Sequence, residues 1–287
     1  MQGHGQAGQK KDQEPARAPD ERGRRARWAA AGRQVYARAA MGAGIGAGMG
    51  AEKALGAWRA TVAALLPSAC ALCGSVQRDV VCAPCAADLL RPVRRCPVCA
   101  LALGRHVDCP ACAAMPPAFD HACTLGDYAS PQDNLVLSLK FGHALPLADW
   151  LASRLAAVLP AAWAAQRLAP PDLLAPIPLA PQRLAARGFN QAWEIARPLA
   201  RRLGLRADPV LLLRRRDTGS QRALDLAARQ VNLRDAFRLT RSVRLDGLHV
   251  ALVDDVMTSG ATLHEAALAL KAHGAAHVSV IVALRTP

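Results

Sequence analysis

Residues 249–262 constrain the fold of this 287-residue chain more than any other segment. An apolar run ends in two adjacent carboxylates, Asp254 and Asp255. A loop of small and hydroxyl residues follows, Thr258-Ser259-Gly260-Ala261-Thr262, and a helical pattern then runs to about His273 and stops at Gly274. The spacing predicts a strand, an acid pair, a short loop and a helix. Loop amides and the positive end of the helix make a cradle for phosphate. Gly260 lets the backbone approach the anion without a side chain in the way.

The acid pair narrows the ligand. Two carboxylates repel a phosphate unless they meet hydroxyls or a metal. Ribose hydroxyls donate to carboxylates, and Mg²⁺ bridges carboxylates to pyrophosphate oxygens. A P-loop needs a lysine among its glycines, and none stands here. The Gly-rich 42–50 stretch has neither the spacing nor the preceding strand of a dinucleotide fingerprint. Read only as structure, the segment is a strand–turn–helix with Thr262 and Glu265 as a capping box. The carboxylates, at a strand end, are expected near solvent.

At these residues the chain resembles the type I phosphoribosyltransferases, whose signature is an apolar strand, two acids and T-[TS]-G-x-T. Val253-Asp254-Asp255-Val256-Met257-Thr258-Ser259-Gly260-Ala261-Thr262 fits every position. The resemblance implies a site for 5-phosphoribosyl 1-diphosphate (PRPP) with Mg²⁺. Its contacts would be Asp254, Asp255, Thr258, Ser259, Gly260, Ala261 and Thr262.

The second constraint is cysteine. Of nine cysteines, eight form C-x-x-C pairs: Cys70/Cys73, Cys82/Cys85, Cys96/Cys99 and Cys109/Cys112. Each C-x-x-C turn offers two thiolates on one side of a metal, and two turns complete a tetrahedron, so eight ligands suit two structural Zn²⁺ sites. The chain shows no convincing signal peptide, which argues against a disulfide framework. The short gaps favour sequential sites over a cross-braced arrangement, which stays open. Four thiolates per metal leave no position for water, so the zinc is expected to be structural. Cys123 is left over and reads as a small apolar packing residue.

The net charge of +14 points to an anionic partner, although Arg so outnumbers Lys that biased composition gives the same figure. Aromatics are only 4%, so no stacking platform for single strands stands out. Residues 1–58 read as a flexible basic tail, with Arg22, Arg24, Arg25 and Arg27 clustered and Met41 or Met49 as later candidate starts. No apolar run reaches membrane-spanning length, and a cytoplasmic location is expected.

The remaining pattern predicts a short helix at 54–66, a zinc module over 59–115 and an α/β domain over 116–287. Strands are expected at 122–128, 172–177, 248–254 and 277–284. Helices are expected near 131–141, 146–168, 191–203 and 262–273. A loop follows the second strand, and 207–247 is polar and Arg-rich with a weak helical signal near 221–236. Alternating strand and helix predicts a parallel sheet with its ligand at the strand C-termini.

Further residues extend the resemblance. Lys140-Phe141-Gly142, Pro176-Ile177-Pro178-Leu179, Arg183, Arg187-Gly188-Phe189-Asn190-Gln191, and Gln221, Arg229 and Asn232 surround the motif. With the four cysteine knuckles ahead of them, in this order, the chain over about 65–287 is similar to the ComF family. These are competence-associated bacterial proteins with a double zinc ribbon and a type I phosphoribosyltransferase fold. Arg187 and Asn190 are candidates for pyrophosphate, since a guanidinium fork suits phosphate oxygens. Asn190 alternatively caps the helix from Gln191. Lys140 could reach phosphate, and His264 reads as a surface or capping residue. No residue identifies itself as the catalytic group or names an acceptor base. The resemblance implies a role in DNA uptake, with single-stranded DNA and DNA-processing proteins as partners. The function is then phosphoribosyl transfer, or DNA or PRPP binding without turnover.

Overall fold

The computed structural model describes residues 68–214, 236–240 and 243–287. The tail 1–58, the helix expected at 54–66, Gln221, Arg229, Asn232 and most of the 221–236 signal lie outside the described residues. In chain order the elements are β1 (Ser68–Ala69), β2 (Val76–Gln77), α1 (Ala83–Leu89), α2 (Pro110–Ala114), β3 (His121–Asp127), α3 (Asp133–Phe141), α4 (Pro146–Ala165) and β4 (Leu173–Pro176). Then come α5 (Pro181–Arg187), α6 (Gln191–Leu203), β5 (Arg206–Ala207), β6 (Leu212–Arg214), β7 (Phe237–Leu239), β8 (His249–Met257), α7 (Ala261–Ala272) and β9 (His277–Arg285).

Five strands form one parallel sheet in the order β3-β9-β8-β4-β5. Val, Leu, Ile and Ala dominate β8 and β9, which are buried on both faces, as a parallel sheet covered by helices requires. Alternate residues Ala251 and Val253 of β8 and Ile281 and Ala283 of β9 share a core with Leu139 of α3, Leu151 and Leu155 of α4, and Ile195 and Leu199 of α6. The opposite alternation faces the side on which α7 packs. β6 and β7 form a separate antiparallel pair within the 207–247 region read as polar and Arg-rich, for which no strand was expected.

The order of strands places the site. From β4 the chain leaves through α6 to β5 on one side. From β8, the neighbour of β4, it leaves through α7 to β9 on the other. Where connections diverge from adjacent parallel strands, a crevice opens at their C-terminal ends. Here β4 also stops early. Pro176 pairs with Val253, and the amide of Ile177 donates to the Val253 carbonyl at 2.9 Å. Pro178 has no N–H to continue the ladder. β9 runs on beside β8 as far as Met257. Asp254 and Asp255 therefore stand where β8 has lost one neighbour and kept the other.

One connection differs from expectation. The segment after β4 was expected to be a loop and contains the helix α5. Pro181 at its first turn and Gly188 at φ 82° beyond its end are the two sequence marks of a short helix.

The cysteine half is not a bystander. Cys70, Val81, Cys82, Ala86 and Leu89 join the same core as Leu125, Leu135 and Leu174. Cys96, Cys99 and Leu103 form a small core of their own.

Candidate functional site

Asp255 is buried, 3% exposed, and Asp254 half-buried, so the expectation that both carboxylates lie near solvent fails for Asp255. Lys140, in the last turn of α3, pairs with it: Nζ lies 2.6 Å from Asp255 Oδ2. Asp254 Oδ1 accepts the Asp255 amide at 2.9 Å. Burial pushes the Asp254 carboxyl well above the ordinary carboxylate range, and the neighbouring Asp255 charge pushes it further, against the pull of Lys140. Lys140 thus answers Asp255 directly and Asp254 only through space.

Arg187 arrives from the other side of the crevice, at the end of α5. Its Nη1 donates to Gln191 Oε1 at 2.5 Å, and its guanidinium lies 5.6 Å from the Phe141 ring centroid. Burial lowers its proton affinity, and the charges of Asp255 and Asp254 offset that. The structure therefore gathers Lys140, Arg187 and both acids, which the sequence named separately, the acids in the motif and the two cations as phosphate candidates. Gln191, 4% exposed, is the holder of Arg187 that sequence reasoning missed. Its place in the same Arg187–Gln191 run was the available signal.

Asn190 does the work of a cap. Its Oδ1 accepts the Ala192 amide at 3.0 Å, while Nδ2 donates to the Ile177 carbonyl at 3.0 Å. It thereby pins the start of α6 to the exit of β4.

The Thr258–Thr262 loop leads into α7, which begins at Ala261 with Gly260 as N-cap at φ 81°. No side chain caps the helix, so the Thr262–Glu265 capping box does not form. The first amides of a helix have no intrahelical acceptor and remain available to a ligand. Ser259 Oγ sits 3.4 Å from the Ala261 amide. His264 faces away from this role: its Nδ1 accepts the Ala118 amide at 3.0 Å, which ties the chain before β3 to α7.

Under the loop lies Arg285, the last residue of β9. Its Nε donates to the Cys99 carbonyl at 3.1 Å; its Nη1 faces the carbonyls of Met257 at 3.1 Å, Thr286 at 2.7 Å and Thr258. Burial lowers its proton affinity, while Cys99, Cys109 and Cys112 raise it.

The cysteines assemble sequentially, as the gaps favoured: Cys70, Cys73, Cys82 and Cys85 in one cluster, Cys96, Cys99, Cys109 and Cys112 in the other, with all sulfurs of a cluster within 4.8 Å of one another. Cys73 and Cys82 sulfurs are 3.7 Å apart, Cys96 and Cys112 3.8 Å, Cys99 and Cys109 3.6 Å. A tetrahedron with Zn–S bonds of about 2.3 Å has edges of about 3.8 Å, so both donor sets fit zinc. Burial raises the Cys70 thiol, but the knuckle amides of Cys73, Cys82 and Leu72 bring it down to about 6, toward the thiolate a metal needs. Cys123 packs beside the core on β3, its thiol raised by burial to about 11.

The phosphoribosyl transferase domain family matches residues 190–287. DNA utilization protein YhgH of Salmonella typhi is 36% identical over 225 residues, covering 77% of this chain and 98% of that protein. The protein of the same name in Escherichia coli (strain K12) is 35% identical over 207 residues, covering 72% and 90%. Competence protein F of Haemophilus influenzae is 32% identical over 173 residues, covering 60% and 76%. Among the described residues no helix is long and apolar enough to cross a membrane. With likeness running through nearly the whole length of the Salmonella protein, and with the parallel sheet and paired cysteine clusters in place, the chain belongs to the ComF family.

Proposed function

We propose that this chain binds PRPP with Mg²⁺ in the crevice between the ends of β4 and β8, and serves the use of DNA taken up by the cell. One observation carries the reading. β4 stops at the level of Val253, just before the acid pair on β8; Lys140 pairs with Asp255, and the charges of both acids act on Arg187, which supports a site at this strand end.

Each residue then has a task set by its chemistry. The amides at 258–262 take the 5-phosphate, where helix-end donors favour an anion. Asp254 and Asp255 accept the ribose hydroxyls and fix the sugar. Arg187, held by Gln191, presents its fork to pyrophosphate. Lys140 neutralises Asp255 until ligand arrives and then shares its charge with the phosphates. Carboxylate oxygens suit a divalent cation, and Mg²⁺ held by the acid pair would supply charge neutralisation of the leaving pyrophosphate. The reaction class served is displacement at C1 of the ribose, helped by positioning and electrostatics. The two cysteine clusters hold structural zinc.

Calorimetry with PRPP and Mg²⁺ tests the binding site. The parent should bind, and the Asp254→Asn/Asp255→Asn double variant should bind at least about tenfold more weakly. Equal binding by both would place the ligand elsewhere.

A second reading, PRPP or single-strand binding without turnover, is favoured by the names of the relatives, DNA utilization and competence, and by the charge of +14. Pyrophosphate release with a panel of nucleobases separates the two. Turnover with any base supports the enzyme. Absence of turnover, with single-strand binding that falls steeply with salt, supports the binder.

A further inference from the structure

The second cysteine cluster and the 258–262 loop meet at one side chain. Arg285 ends a strand whose other residues are nearly all apolar, and it is itself 7% exposed. A buried guanidinium is costly unless its donors are satisfied. Here they are spent on carbonyls from separate segments: Cys99, a ligand residue of the second cluster; Met257 and Thr258, where β8 turns into the loop; and Thr286. The amide of Thr286 returns a bond to the Met257 carbonyl at 3.0 Å. Only a planar fork reaches Cys99 on one side and Met257 and Thr258 on the other; an ammonium is a point and serves one side. The first cluster sits differently, packed through Cys70 and Cys82 into the main core.

We propose that Arg285 is a positioning residue through which the second cysteine cluster sets the conformation of the 258–262 loop, so that metal in that cluster strengthens phosphate binding. The inference rests on the reading of the loop as the PRPP phosphate site. It works through Cys99: metal fixes the 96–99 knuckle and its carbonyl, the carbonyl fixes the guanidinium, and the guanidinium fixes Met257 and Thr258. The cluster takes no part in chemistry.

A double-mutant cycle on the full chain tests this, with Arg285→Lys and Cys112→Ser made singly and together. Hydrogen exchange at residues 258–262, without ligand, reads the coupling alone, and calorimetry with PRPP and Mg²⁺ reads its consequence. Arg285→Lys should keep both zinc ions, while Cys112→Ser should lose one. Each should reduce loop protection and PRPP affinity by about tenfold, and the double variant should be no worse than the weaker single one. Where Cys112→Ser melts too low to study, Cys109→Ser replaces it under the same expectations. Unchanged loop protection after loss of the second zinc overturns the proposal, as do effects that simply add. If the coupling appears in exchange while the parent fails to bind PRPP, the PRPP reading falls and the Arg285 link stands.

Discussion

Lys140 Nζ stands 2.6 Å from Asp255 Oδ2, so the cation that answers the buried acid comes from a helix end far away in the sequence. Removing it with Lys140→Met leaves a carboxylate 3% exposed without its counter-charge. We expect a loss of about 1–3 kcal/mol in urea unfolding. Added Mg²⁺ should then raise the melting temperature more than in the parent. An equal Mg²⁺ response in both would separate Asp255 from the cation site.

The two neighbouring acids should respond oppositely to neutralisation. The carboxyl of Asp254 is raised in the folded protein, by burial and by Asp255. Its folded state therefore holds a proton that the unfolded state has released, so stability is greatest below the unfolded value. That stability is lost as pH climbs toward the folded one. Asp254→Asn should flatten this slope and melt higher than the parent at neutral pH, while binding PRPP about tenfold more weakly. Asp255→Asn should melt lower, since Lys140 loses its partner. Melting curves across pH decide between this and two equivalent strand-end acids.

Gly260 caps α7 at φ 81°, and a Cβ there would lie 3.5 Å from the Met257 sulfur, an ordinary contact. Gly260→Ala should therefore cost only backbone strain, about 1–2 kcal/mol. It should weaken binding of inorganic pyrophosphate or PRPP, because the methyl crowds the approach to the loop. Denaturant melts and calorimetry check the two effects separately.

Metal analysis should find about two zinc ions per chain. A serine in the first cluster, such as Cys82→Ser, should lower the melting temperature of the whole α/β unit, since Cys82 lies in the core with Leu125 and Leu135. Intact disulfides with no zinc would contradict the assignment.

The sequence made the strand–acid–loop–helix unit and the cysteine pairs legible because their signals are local: an apolar run, a repeated spacing, a glycine. The central strands and the helices around them followed from the same periodicity. What escaped depends on register or distance. That β4 ends at the level of Val253 is a property of two strands side by side. The reach of Lys140 to Asp255 depends on how α3 packs. Arg285 lies one residue past the strand expected at 277–284, and its four carbonyl partners come from three segments. The α5 helix was within reach, since Pro181 and Gly188 mark it, but seven residues carry little periodicity.

The shared packing of Cys70, Val81, Cys82, Ala86 and Leu89 with the sheet has a practical consequence. A chain trimmed to begin at residue 116 would keep every residue of the PRPP motif and yet bare one flank of Leu125 and Leu135 to water. Such a fragment should aggregate on expression. The route from ribosome to native protein would then pass through zinc capture, and cells short of the metal would accumulate less of this protein before its chemistry is ever called upon.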